Sequence, residues 1–135
     1  MIRNDYILQM IQQIGVLVAR IMNKDISREA MSDEFNGLAG QWIGLPVNIL
    51  LSLPKEHVYE LFEDSDRMVV EKSYLMAEIS HAHGVVAESE EEKVDFFTSA
   101  MFFYRKCSGL VDEPVQKEID ERMNELTIAF NNKAE

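Results

Sequence analysis

Residues Ile2 to Met22, IRNDYILQMIQQIGVLVARIM, restrict what the rest of the chain can become more than any other stretch. Ile7, Met10, Ile11, Ile14, Leu17, Val18 and Ile21 recur mostly by threes and fours, the spacing that lines one face of an α-helix. A second row, Leu8, Gly15, Ala19 and Met22, widens that face beyond what a helix covered on one side can hide. The segment is therefore expected to lie between two apolar walls, supplied by its own chain or by a second copy.

The remaining patterns are helical as well. Ser27 is placed to cap a helix with Ala30, Met31, Phe35, Leu38 and Trp42 on its inner face. Gly37 and Gly40 weaken that helix by about 1 kcal/mol each relative to Ala. Such a cost predicts that Gly37, Gly40 and Gly44 admit a close backbone, opposite Gly15 and Ala19. Pro46 starts a short helix to Leu51, and Ser52-Leu53-Pro54 starts another from Lys55 to Phe62, with Val58, Leu61 and Phe62 inward. After the polar break Glu63-Asp64-Ser65-Asp66, the positions Met68, Lys72, Leu75, Ile79 and Ala82 predict a helix capped at its C-terminus by Gly84. Ser89 and Glu92 make an S-x-x-E capping box for a helix to about Cys107, closed by Gly109. Phe96, Phe97, Phe102, Phe103 and Tyr104 put aromatic rings on more than one of its faces, so it is expected to be buried between neighbours. Asp112 caps the last helix, with Pro114 in its first turn and Val115, Ile119, Met123, Leu126 and Phe130 inward.

Short connections between such helices predict an all-α fold, about six antiparallel helices in an array of helical hairpins. A chain of 135 residues, 47% of them apolar, suits one domain with a real core. It would comprise N-terminal helices in residues 1–62 and a second set in residues 66–132.

Charge narrows the range of partners. The net charge of −11 argues against nucleic acid, whose binding depends on clustered Lys and Arg. Residues 1–62 carry five Lys/Arg against seven Asp/Glu (−2), and residues 63–135 carry eight against seventeen (−9), a solvated acidic half. Cys107 is the only cysteine, so no intramolecular disulfide forms and a cytoplasmic location is expected. Asp5, Gln9, Gln12, Gln13 and Arg20 interrupt the N-terminal segment, so it is not expected to be a signal peptide, and the apolar run Gly44 to Leu53 is shorter than the roughly 20 residues of a membrane span. No membrane association is expected.

The hairpin from Lys72 to Cys107 carries Phe97-x-x-Ala100-Met101 in its second helix and Gly84 ahead of an acidic stretch. In this it resembles a degenerate tetratricopeptide repeat, with Tyr74, Leu75 and Ile79 where the repeat has its Trp-Leu-Gly-Tyr signature and a longer connection. The resemblance implies a tetratricopeptide-like array and a role in binding proteins. The opening Ile2-x-x-Asp5-Tyr6-Ile7-x-x-Met10-Ile11-x-Gln13-Ile14 resembles the start of a family of small all-helical bacterial proteins, a domain of unknown function. It implies no site residues.

Chemistry-bearing residues are sparse. Glu78-x-x-His81 sets a carboxylate and an imidazole on one helical face, as in di-iron bundles, but such sites need a second copy and two more glutamates. The nearest substitute is the inverted His57-x-x-Glu60. His83 points to a different face from His81, and His81 itself is expected to sit near a helix C-terminus whose dipole favours its cation. Cys107, beside Arg105 and Lys106 at a helix end, reads as a structural thiol, and Glu88 to Glu92 as an acidic helix start without the glycine of a calcium loop. No cofactor motif is present, and no cofactor is expected.

Two functions remain. The first is a non-enzymatic interaction or assembly module for a protein or peptide, self-associating as a homodimer through Leu8, Ile11, Gly15, Val18, Ala19 and Met22. The alternative is a small-ligand or metal-dependent enzyme with a site between helices near Glu78, His81 and His57.

Overall fold

The computed structural model describes residues 9, 12–17, 19–21, 23, 26–65 and 67–134, the last three by backbone only, and all regular structure among them is helical. Helical turns at residues 12–17 and 19–21 precede α1 (Arg28–Trp42), α2 (Val47–Ser52), α3 (Lys55–Ser65), α4 (Val69–Val85), α5 (Glu90–Cys107) and α6 (Glu113–Ala134). No described helix is long and apolar enough to cross a membrane.

Local chemistry starts and stops these helices. Ser27 Oγ accepts from the Ala30 amide and Ser89 Oγ from the Glu92 amide, both at 3.1 Å, satisfying donors that a helix start leaves open. Pro46 stands at the N-cap of α2, and Asn36 Oδ1 of α1 accepts from the Val47 amide at 2.8 Å. Gly109 follows α5 at φ +84°, left-handed backbone that disfavours any side chain. Met68 adopts φ +52° at the N-cap of α4 without being a glycine.

Helix α4 is the axis of the fold. Residues 73 to 84 are all buried, so polar Ser73, Glu78, Ser80, His81 and His83 lie inside along with Leu75 and Ile79. Its longest contact is with α5. The two run antiparallel: Glu78 and His81 meet Tyr104, and Gly84 meets Phe97. α1 covers another side, with Phe35 5.7 Å from the His83 ring. α3 packs against the α4–α5 pair, Phe62 lying 6.2 Å from Phe103 and Lys106 Nζ 4.6 Å above Tyr59. Val115, Ile119 and Leu126 of α6 complete the core.

One stripe of the N-terminal segment is covered from within the chain. Ile14, Leu17 and Ile21 are buried in the common core, Gln13 Oε1 accepts from Trp42 Nε1 at 3.2 Å, and Arg20 pairs with Glu34 at 3.1 Å. The expected second wall is not supplied by the described chain: Gly15 and Ala19 are exposed, and Val16 is 65% exposed. Leu8, Ile11, Val18 and Met22, named with them as an interface, lie outside the described residues, as does the proposed helix start at Asn4.

Other expectations change in detail. Among the described residues a Cβ built on Gly37, Gly40 or Gly44 meets nothing within 4 Å, so none of them supplies the expected close backbone; Gly44, at φ +92°, instead turns the chain after α1. The close approach is at Gly84, where a Cβ would collide with Cδ1 and Cε1 of Phe97 and come 3.3 Å from Phe96 Cβ. Gly84 is therefore a packing residue inside α4, which runs on to Val85, and not its cap. α3 continues through Glu63 and Asp64 to Ser65, and Leu61 is exposed on its outer side.

Candidate functional site

The i, i+4 spacing of Tyr74 and Glu78 brings both onto one face of α4, where Tyr74 Oη donates to Glu78 Oε1 at 2.8 Å. From the facing helix, Tyr104 Oη donates to Glu78 Oε2 at 2.9 Å. Arg122 of α6 brings Nε to 3.5 Å from the same oxygen, and its other nitrogens reach Glu118 at 3.1 Å and Glu125 at 3.4 Å. A carboxylate only 2% exposed thus receives two hydroxyl protons and a guanidinium, the partners a buried charge requires.

His81, one turn after Glu78, is 9% exposed, and its Nδ1 lies 3.3 Å from Tyr104 Oη. The single Tyr104 proton is committed to Glu78, so the Tyr104 oxygen accepts from Nδ1–H, which fixes the neutral tautomer. Nε2 then carries a lone pair. Opposite it, Glu125 Oε2 stands 3.8 Å away, beyond hydrogen-bond reach. Both residues border a cavity of about 140 Å³ that is also lined by Ile21, Glu78, Ala82, Val85 and Arg122. Phe97 packs against His81, its ring perpendicular to the imidazole with centroids 5.6 Å apart.

Burial dominates the electrostatics. Desolvation, helped by Arg122, depresses His81 to about 4, so it is neutral at pH 7 and the expected stabilisation of its cation by the helix end is overridden. Desolvation raises Glu78 above the ordinary carboxylate value, with Arg122, Tyr74 and Tyr104 pulling the other way. Burial, and then the charge of Glu78, lift both tyrosines above their usual range. For Arg122 burial acts against the cation, but Glu78 and the neighbouring carboxylates outweigh it and the pKa rises.

These values make the cluster a set of fixed hydrogen-bond groups. A base whose conjugate acid has a pKa of about 4 is a weak proton acceptor for catalysis near neutrality. Cys107 is no nucleophile: desolvation pushes its thiol to about 12, and Sγ lies 3.4 Å from the carbonyl oxygens of Phe103 and Tyr104. His83 faces another way, as its spacing predicts, with Nδ1–H donating to Ile79 O at 2.8 Å between the rings of Phe35 and Phe96.

Glu78 and His81, singled out from their spacing, do meet in one site. His57 does not join them; it is exposed on α3 and absent from the cavity wall. Among the described residues no three His, Cys, Asp or Glu side chains are placed to hold a metal ion. Tyr104, Arg122 and Glu125 were not anticipated, because only the packing of α5 and α6 on α4 brings them to Glu78. The run Glu88 to Glu92 opens α5 as expected, and Arg28 of α1 lies 3.4 Å from Glu88 and 3.9 Å from Glu92. Compared with known proteins, the chain matches no family model, no curated protein and no solved structure.

Proposed function

We propose that this protein is a non-enzymatic binding module that holds a small molecule in the cavity between α4 and α6. The observation that carries the reading is the pair of acceptors facing each other there, His81 Nε2 and Glu125 Oε2, 3.8 Å apart and so not bonded to one another. Two facing acceptors repel unless an N–H or O–H bridges them. Ile21, Ala82 and Val85 supply the apolar wall that, with a few convergent polar groups, characterises small-ligand sites. Fixed protonation states at Tyr74, His81 and Tyr104 favour recognition over proton transfer.

The test uses the two histidines as reporter and control. When 1-butanol or n-butylammonium chloride is added at constant ionic strength, the His81 Cε1–H resonance moves and saturates while that of exposed His57 stays in place. Equal movement at both histidines, or none at either, defeats the reading.

A second reading, self-association through the N-terminal segment, draws on a separate observation. Gly15, Val16 and Ala19 are exposed on the side away from the core. Val16 borders an open groove in which Ala30, Gly37 and Leu38 of α1 form a small apolar strip flanked by Gln13, Asp33, Glu34 and Gln41, an amphipathic surface suited to a second helix.

A further inference from the structure

Resting on the cavity being a ligand site, we infer that its ligand is a compact organic cation, a primary ammonium with a short hydrocarbon tail. The bridging group must be a donor on both sides, since His81 Nε2 offers a lone pair and Glu125 Oε2 a carboxylate oxygen. An ammonium nitrogen has three N–H donors and no acceptor. At about 2.9 Å from each partner it fits between acceptors 3.8 Å apart with bent bonds, and half-exposed Glu125 can swing outward to straighten them.

Charge selects the cation over a neutral donor. Glu118 and Glu125 set two negative charges against the single charge of Arg122, before Glu78 is counted. His81 adds none. An anion would meet these carboxylates and the imidazole lone pair, and the Arg122 cation on the wall is already paired with Glu78, Glu118 and Glu125. Size sets the tail. About 140 Å³ is close to the roughly 150 Å³ that admits a benzene-sized guest, so an amine of about five non-hydrogen atoms fills it against Ile21, Ala82 and Val85.

Calorimetry and His81-detected NMR with n-butylammonium chloride, 1-butanol and sodium butyrate, at matched ionic strength, test this on the whole chain. The expected result is saturable binding of butylammonium, at least tenfold weaker binding of butanol, none of butyrate, and at least a tenfold loss of butylammonium affinity in Glu125→Gln. Glu125 is half exposed, so that variant keeps its fold. If butanol binds as tightly as butylammonium, or butyrate binds at all, the cationic class is wrong while the cavity remains a ligand site. If none of the three binds, the site holds only water, and the inference falls together with the proposed function.

Discussion

Replacing Gly84 by Ala tests whether the α4–α5 contact is as close as described. At an ordinary helical position Gly→Ala gains up to about 1 kcal/mol through backbone entropy. At Gly84 the added methyl would enter the space of Phe97 Cδ1 and Cε1 and approach Phe96 Cβ at 3.3 Å. The Phe97 ring cannot swing away cheaply, since it is buried and stands edge-on between His81 and Phe130, with centroids 5.6 and 6.5 Å away. Overpacking of this kind costs about 1–3 kcal/mol. Set against the propensity gain, Gly84→Ala should be destabilising by up to about 2 kcal/mol. Gly37→Ala, where the new Cβ meets nothing within 4 Å among the described residues, should be stabilising by up to about 1 kcal/mol. Urea denaturation of both variants beside the parent measures the contrast, in which the overpacking cost appears as the difference between two chemically identical changes. A gain at Gly84 equal to that at Gly37 would refute the close packing of these helices.

Two further predictions follow from the site and the N-terminal face. Burial holds His81 at about 4, against roughly 6.5 in an unfolded chain. Above pH 6.5 neither state carries the proton and the stability contribution is complete; between 6.5 and 4 only the unfolded chain takes it up, so stability falls as pH falls, by up to about 3 kcal/mol. Urea curves from pH 7 to 4.5 should show His81→Phe losing less stability than the parent over this range, and equal losses would remove His81 as the cause. Should the exposed face at Gly15, Val16 and Ala19 join two copies, sedimentation will show a concentration-dependent dimer that Val16→Asp returns to monomer. A parent protein that stays monomeric at high concentration disposes of self-association.

Features decided within a few residues were readable in the sequence. Ser27, Pro46, Ser89 and Gly109 act on their own neighbours, and each lies where the helix boundaries require. The Glu78–His81 pair was visible for the same reason, being one turn apart on one helix. The rest of the site was not, because Tyr104, Arg122 and Glu125 come from 26, 44 and 47 positions beyond Glu78 and are selected only by how α5 and α6 pack. Glycine was misleading in the same way. Gly37 and Gly84 look alike as helical glycines, and only the neighbour across the contact, open space or Phe97, separates them. Leu61 fits the apolar period of α3, yet it is left 37% exposed.

Residues 73 to 84 of α4 are all buried, with α1 and α3 on some flanks and α5 and α6 on others. The amide hydrogens of residues 73 to 84 therefore have one route to exchange with solvent, the opening of the assembled helices together. Severing the chain between α3 and α4 would leave a C-terminal fragment whose central rod lies bare along the flank that carries His83, the residue Phe35 now screens. Residues 63–65 thus close α3 and do not mark a line along which the protein comes apart.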